Sequence, residues 1–206
     1  MRSTLSNLEY FNLYDARGGK TVKGGDQEWY GSWWRRMSGC GPTTAANVVM
    51  YIGNARGGEH IREKQEFVRL MDKLWKYVTP GRGGVNTTLK LRQGIVGYSG
   101  FTNLNLRTEA LDVSAEIETR PQLEHVTEFI RVGLKRDLPV AFLNLDNGLE
   151  RQLDKWHWVT VTGVEYESEG GTVKINILDN CNMFDVNLDR WLKSTARGGG
   201  FVRFLL

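Results

Sequence analysis

The sequence of 206 residues contains little cysteine, histidine or proline, with two, three and four residues respectively. Two cysteines exclude a framework of several disulfides, and without a Cys-x-x-Cys pair a structural zinc site is not expected. No apolar run approaches the roughly 18 residues that a membrane-spanning helix needs. The N-terminal residues also lack the continuous apolar segment of a secretory signal, so we expect a cytoplasmic protein.

The chain also lacks a large excess of positive or negative charge. The chain has 27 Lys and Arg against 24 Asp and Glu, a net charge of +3. The basic residues are spread along the chain, which argues against nucleic acid as a partner. Arg-Gly-Gly occurs four times, but singly between patterned segments, as flexible turns do and as an RNA-binding tract does not. These tripeptides begin at Arg17, Arg56, Arg82 and Arg197.

Hydrophobic periodicity divides the chain into helices followed by strands. Residues 42–52 are apolar or small on nearly every side, which predicts a helix enclosed by protein. A change of period from 3.6 toward two residues after Asp137 marks the start of the strands. The predicted helices span 42–52, 60–78, 87–98, 121–136 and 188–194, and the predicted strands span 8–13, 138–145, 157–165, 173–179 and 200–206.

This order of elements predicts an α+β protein with one domain over residues 1–206. The helical lobe is expected at about 40–136 and contains the central buried helix. The antiparallel β-sheet lobe is expected at about 137–206. A cleft between two such lobes is the natural place for a functional site.

Cys40 lies between Gly39 and Gly41, just ahead of the predicted buried helix. A thiol at a helix N-terminus faces unpaired N–H groups and the positive end of the helix dipole, and both favour the thiolate. The glycines remove Cβ atoms, so a substrate backbone can approach and the Cys40 N–H can face a developing oxyanion. From this stretch alone, a small buried thiol in a glycine-rich turn is an equally open interpretation.

A catalytic thiol needs a base, and His157 is the candidate among the three histidines. His157 opens a predicted strand between Trp156 and Trp158, where a buried ring needs a hydrogen-bond partner. His60 and His125 lie among charged residues at positions expected to be solvated.

Asp179 is the predicted partner of His157. If the strands at 157–165 and 173–179 form an antiparallel hairpin centred on Ser168, Asp179 lies directly opposite His157 on the same face, within hydrogen-bond reach. It would then orient the imidazole. Asn180 would take this place only if the register shifts by one residue. A satisfied polar pair inside a sheet is the alternative interpretation of the two residues.

Three segments resemble those of a known family. Ser38-Gly-Cys-Gly-Pro-Thr-Thr-Ala-Ala-Asn47 resembles the nucleophile motif of papain-like cysteine peptidases, in particular the branch related to bacteriocin-processing, double-glycine leader peptidases. Trp156-His-Trp-Val-Thr-Val-Thr-Gly163 resembles the histidine strand of that family. Leu178-Asp-Asn180 resembles the Asp-Pro element that follows it, with Asn180 where proline is usual. The similarity in order and spacing spans about Gln27 to Trp191.

The resemblance implies a papain-like fold and a bacterial enzyme in which Cys40 attacks a carbonyl and His157 acts as base and then acid. It also implies a glutamine upstream of the cysteine as an oxyanion donor. The usual position, six residues before the cysteine, is Trp34 here, so Gln27 is the candidate. Gly39, Gly41, Trp34 and Trp158 are candidate substrate-binding residues, and packing between the lobes is the alternative for the tryptophans.

These observations predict a cysteine peptidase that cleaves a peptide or isopeptide bond in a peptide or protein substrate, without metal or cofactor. Two alternatives use the same residues: acyl or peptidyl transfer, and a catalytically degenerate module that binds peptides or cell-wall fragments. Cys181, the second cysteine, would either pair with Cys40 on oxidation or be inert. The sequence does not indicate an oligomeric state.

Overall fold

The structure is a computed structural model that describes residues 2–58, 60–102, 104–166 and 171–206. Within these ranges, no helix combines the length and apolar character needed to cross a membrane. The helices are α1 (Trp33–Ser38), α2 (Cys40–Ala55), α3 (Lys64–Trp75), α4 (Thr88–Thr102), α5 (Leu123–Lys135) and α6 (Leu188–Ser194). The strands are β1 (Arg2–Thr4), β2 (Asn12–Asp15), β3 (Lys20–Lys23), β4 (Arg107–Val113), β5 (Val140–Asn144), β6 (His157–Tyr166), β7 (Val173–Asp179), β8 (Asn182–Asn187) and β9 (Gly199–Leu205).

Helix α2 is buried along almost its whole length, between α3 and the sheet strand β6. It carries no charged residue, so no side of it has to face water. Its two buried asparagines are satisfied by hydrogen bonds. The Asn47 side chain accepts from the Gly25 N–H at 2.9 Å and donates to Thr160, and Asn54 Nδ2 donates to the Tyr10 carbonyl at 2.8 Å. The helix predicted at 42–52 is therefore the enclosed core of a longer one.

The main sheet places β6 and β7 near its centre. Within the described residues it has seven strands, in the order β4-β9-β5-β6-β7-β8, with β1 paired to the C-terminal half of β6. All these pairs are antiparallel. Helix α2 crosses one part of this sheet, which brings the start of the helix close to the start of β6. A separate hairpin of β2 and β3 lies outside the sheet.

The division into a helical lobe at 40–136 and a β lobe at 137–206 is only partly right. Strand β4 lies inside the predicted helical range but pairs with β9, and α5 packs against β6, β9 and β1. The sheet also recruits β1 from the N-terminus. Antiparallel pairing joins strands that are far apart in sequence, so the order of periodic segments does not give the lobe boundaries.

The hairpin register predicted for β6 and β7 is wrong, although the side-chain pair that it placed together does meet. The expected centre, Ser168, lies outside the described residues. The observed pairs are Tyr166↔Val173 through Gly163↔Asn176, then Val161↔Ile177 and Thr160↔Leu178, with a β-bulge between Val161 and Gly163. The bulge moves the register by one residue and changes which side chains share a face.

The consequence of the bulge is a diagonal contact. Extending the pairing by one residue beyond Thr160↔Leu178 places Asp179 opposite Val159, two residues from His157. With this register, residues of the same parity lie on the same face, so His157 and Asp179 point the same way. Diagonal neighbours lie roughly 7–8 Å apart at the backbone, within reach of long or aromatic side chains. Without the bulge the two side chains would be on opposite faces.

Candidate active site

Cys40 is the first residue of α2, and Gly39 separates it from the end of α1. Because it opens the helix, its N–H lies outside the helical i→i−4 hydrogen-bond ladder. The side chain is 9 % exposed. Its Sγ donates to the Trp156 carbonyl oxygen at 3.9 Å. The helix start therefore presents a thiol to the residue that directly precedes His157.

His157 is buried, and its Nε2 lies 2.7 Å from Asp179 Oδ1. Because Asp179 occupies Nε2, the other ring nitrogen, Nδ1, is left for Cys40. The carboxylate holds the ring in one orientation, since a hydrogen bond at one nitrogen fixes what the other can do. Cys40, His157 and Asp179 all line one small cavity, together with Gln27.

Two opposing influences set the charge of His157. Burial of the ring acts to lower its pKa, but hydrogen bonds to Asp179 and Cys40 and the charges of these two groups outweigh it and raise the pKa to about 10. The ring is therefore an imidazolium at neutral pH. A cation beside a thiol favours the thiolate form.

Asp179 and Asn180 were alternatives for the residue behind the histidine, and the geometry favours Asp179. The Asp179↔Asn182 pair closes a two-residue turn between β7 and β8. Asn180 and Cys181 form this turn with φ of 43° and 64°, the left-handed conformations of a type I′ turn. Asp179 is thus the last strand residue, and its carboxylate contacts the imidazole.

Gln27 begins a short 3₁₀ helix, Gln27–Trp29, which Asp26 caps by accepting from the Glu28 N–H. Its Oε1 is buried and has no hydrogen-bond partner among the described residues. The loop before it is fixed by the bond from Gly25 N to Asn47 and by tight packing, since a Cβ on Gly25 would lie 2.0 Å from the Phe67 ring. A side-chain amide is therefore held beside Cys40 and His157, and its oxygen accepts no hydrogen bond within the described part of the chain.

The glycines on either side of Cys40 serve packing and do not open space for a substrate, contrary to the expectation. A Cβ on Gly39 would lie 2.5 Å from both the Arg35 carbonyl oxygen and the Tyr30 ring. A Cβ on Gly41 would lie 2.9 Å from the Val85 side chain. Both glycines are buried. Their lack of a side chain allows α1, α2 and the neighbouring segment to approach closely.

The two predicted tryptophans have different surroundings. Trp158 is 2 % exposed and its Nε1 donates to the Val85 carbonyl. It therefore packs inside the protein beside the site and is not available to a substrate. Trp34 is 44 % exposed. It lines an open cleft of about 380 Å³ that reaches Cys40. Packing thus explains Trp158, and Trp34 remains a candidate for binding.

Trp156 is a site residue that the predicted set omits. It is 47 % exposed, lines the same cleft, and has a φ of 57°. Bulky residues rarely adopt this conformation, which costs on the order of 1–3 kcal/mol. The turn directs its carbonyl toward Cys40 and lets His157 begin the strand. The sequence signal was present in the Trp-His-Trp segment, but it gave no reason to prefer Trp156 over Trp158.

Asn144 is a second omitted residue, and it supports the loop between β5 and β6. It is fully buried and pairs with His157 in the ladder. Its Nδ2 donates to the Asp154 carbonyl at 2.6 Å, and its Oδ1 accepts from Trp191 Nε1 at 2.8 Å. The sequence feature that could have indicated Asn144 is its position as a polar residue inside the apolar run 138–145. These bonds fix the backbone that leads into Trp156 and His157.

Among the described residues, one group of three side chains places possible metal-ligand atoms close together. Asp154, His157 and Asp179 each place one such atom within 4.8 Å of the others. A metal there would need a neutral His157 and would displace the hydrogen bond to Asp179. The pKa of about 10 for His157 opposes this at neutral pH. The His157–Asp179 pair therefore fits proton chemistry better than metal binding.

Cys181 is a free thiol, as is Cys40. Its Sγ donates to the Gly24 carbonyl at 3.4 Å. Burial raises the pKa of this thiol to about 12, so it is neutral at ordinary pH. Cys181 is therefore the internal reference against which the reactivity of Cys40 can be judged.

The architecture is that of the papain-like fold: a buried helix with cysteine at its tip, set against an antiparallel sheet that carries the histidine. This confirms the predicted α+β fold class. The solved structure of UfSP from C. elegans is similar to it. The similarity covers 99% of this chain and 34% of that chain, with a TM-score of 0.59 and 12% sequence identity.

The chain thus spans about a third of the length of the UfSP chain. At this sequence identity the likeness concerns the fold. No protein-family model matches the sequence, and a search of curated proteins found no match.

Proposed function

We propose that the protein is a cysteine peptidase that cleaves peptide or isopeptide bonds through an acyl-enzyme on Cys40. The observation that carries the proposal is that Cys40 and His157 line one small cavity, in which His157 Nε2 lies 2.7 Å from Asp179 Oδ1 and Nδ1 is left for the thiol. This is the arrangement of nucleophile, base and orienting group that acyl transfer requires. The papain-like fold is compatible with this class of enzyme.

In the first half of the reaction, the Cys40 thiolate attacks the carbonyl carbon of the scissile bond. The oxyanion that forms lies near the start of α2, where the Cys40 N–H is free of the helical ladder. The side-chain amide of Gln27 is the proposed second donor. The His157 imidazolium then gives its proton to the leaving amine, and a thioester remains on Cys40.

In the second half, His157 is neutral and takes a proton from water, which attacks the thioester. The tetrahedral intermediate collapses, the acid product leaves, and the proton on His157 restores the starting state. Asp179 keeps the ring in place throughout. The residues of this chain therefore account for both proton transfers without a cofactor.

The kind of bond that is cleaved is a second part of the proposal, and it is supported by the sequence resemblance and the fold. The sequence resemblance favours a relative of the double-glycine leader peptidases, and the papain-like fold is compatible with a cysteine peptidase more generally. A peptide or protein substrate fits the open cleft beside Cys40.

The proposal is tested with a peptide library whose products are read by mass spectrometry, and by acid quenching to trap the acyl-enzyme. Cys40→Ala should abolish both cleavage and the trapped adduct. Cys181→Ala is the matched control and should retain both. Cleavage by the Cys40→Ala protein would overturn the proposal, and products carrying added amines would identify a transferase instead.

A further inference from the structure

Two of the four Arg-Gly-Gly turns meet at the cleft beside Cys40. We call this feature the Trp–Arg cleft; it consists of Trp34, Met37, Trp156, Arg82 and Arg197. The first four line the cavity of about 380 Å³, and the guanidinium carbon of Arg197 lies 5.4 Å from the centre of the Trp156 ring. The other two turns lie elsewhere: Arg56 donates to the Arg136 carbonyl, and Arg17 follows the strand β2.

Arg82 is presented by a tight and defined turn. Gly81 and Gly84 exchange backbone hydrogen bonds of 3.3 and 2.9 Å, and Gly84 has a φ of 70°. The Arg82 side chain is exposed, and within the described residues no carboxylate pairs with it. The arginines of α1 differ, because Arg35 pairs with Asp72 and Arg36 with Glu28.

Arg197 is held in place by an aromatic ring. Stacking on Trp156 restrains the guanidinium, and no carboxylate in the described part of the chain pairs with it. The backbone beside it is fixed, since the Ala196 N–H donates to Asp146 at 3.0 Å. The Asp146 carboxylate forms an ion pair with Lys155, with 2.9 Å between Oδ2 and Nζ. The charge of Arg197 is therefore available to a ligand.

The apolar part of the cleft is open. Trp34 is 44 %, Met37 63 % and Trp156 47 % exposed, which is unusual for large apolar side chains that lie close together. None of the residues that line this cavity in the described part of the chain is acidic. The cleft therefore combines an apolar surface with unpaired cations, next to the proposed nucleophile.

We propose that the Trp–Arg cleft selects peptides in which an apolar side chain is flanked by an acidic residue near the scissile bond. The apolar side chain would cover the exposed tryptophans, and the carboxylate would form a planar, two-bond contact with Arg82 or Arg197. This inference rests on the proposed peptidase function and adds its substrate class. An exposed arginine contact changes specificity by roughly 1.4- to 5-fold, and less at high salt.

The test compares three peptides that share one apolar residue and differ beside it in Glu, Gln or Lys. For the wild-type protein, kcat/KM should follow Glu over Gln over Lys, with Glu about 1.4- to 5-fold above Gln. Arg82→Glu and Arg197→Glu should remove or invert this order. Arg17→Glu is the matched control, because it changes an exposed arginine of the same tripeptide outside the cleft. Thermal unfolding checks that each variant is folded.

Direct binding separates this inference from the proposed function. The Cys40→Ala protein should bind the Glu peptide more tightly than the Lys peptide, measured by fluorescence anisotropy of labelled peptides. If it does and the wild-type protein cleaves none of them, the peptidase proposal fails and the cleft inference stands. Equal use and equal binding of the Glu and Lys peptides would overturn the inference, and so would the same preference in both Arg82→Glu and Arg197→Glu as in Arg17→Glu.

Discussion

Replacing Asp179 by Asn isolates the electrostatic part of the proposed site. The amide has nearly the same size as the carboxylate and can still accept a hydrogen bond from His157 Nε2, but it carries no charge. The ring remains buried, and burial alone favours its neutral form. We therefore expect the substitution to lower the pKa of His157 while leaving the fold intact.

The size of the effect follows from the two pKa values of the ring. The increase from 6.5 to about 10 corresponds to at most about 5 kcal/mol. Since this pKa is raised in the folded state, the stabilisation is complete below pH 6.5 and is lost as the pH rises through about 10. Asp179 and Cys40 both contribute to this increase in the pKa of His157. Removal of one neighbouring opposite charge shifts a pKa by roughly 1–3 units.

The assay is an NMR titration of the histidine ring signals in the wild-type protein and in Asp179→Asn. The exposed His60 and His125 supply internal reference signals, and a His157→Gln protein identifies the third. Urea unfolding at pH values between 6.5 and 10 gives the same quantity from stability. The wild-type protein should lose stability over this interval, and the variant should lose less.

The reasoning is refuted if the wild-type His157 titrates near its ordinary value. It is also refuted if the titration is the same in Asp179→Asn, because the contact at 2.7 Å would then contribute nothing to the charge of the ring. A loss of fold in the variant is detected separately by circular dichroism.

Three further substitutions test the packing and the oxyanion donor. Gly39→Ala should reduce the free energy of unfolding in urea by about 1–3 kcal/mol, since the new methyl group meets the Arg35 carbonyl and the Tyr30 ring. Gly31→Ala is the control, because nothing lies within 4 Å of the added methyl group there. Equal effects of the two substitutions would contradict this account. Gln27→Ala should lower kcat by about 10²- to 10³-fold with little change in KM, whereas the exposed Gln93→Ala should not; an unchanged kcat would mean that another group binds the oxyanion. Trp158→Phe should cost about 1–3 kcal/mol because the Val85 carbonyl loses its partner, and Trp34→Phe should stay within about 0.5 kcal/mol; the reverse order would show that Trp158 is not the buried support.

The features predicted well are those that depend on local pattern. Helix α2 follows from 16 residues without a charge, which only an enclosed helix can hold. The fold class follows from that helix together with the change of period after Asp137. The pairing of His157 with Asp179 was expected because alternation placed both residues on one face of a hairpin.

The features predicted badly depend on close packing between distant segments. The hairpin register failed beside the loop, where Val173 pairs with Tyr166, and the bulge between Val161 and Gly163 then changes the pairing by one residue. Gly163 inside a strand was the available signal for the bulge. The two glycines around Cys40 were interpreted as space for a substrate, but the same lack of a side chain serves contact with Tyr30 and Val85. Periodicity reports which side of an element is buried and does not report what covers it.

The difference in reactivity between Cys40 and Cys181 bears most directly on the proposed nucleophile. The protein is treated with iodoacetamide at about pH 6, where an ordinary thiol is almost wholly protonated, and the two modified peptides are quantified by mass spectrometry over time. Cys40 should react far faster than Cys181, whose pKa burial raises to about 12, and the advantage should shrink in His157→Gln and disappear in urea. Equally slow modification of both thiols in the folded protein would contradict the account.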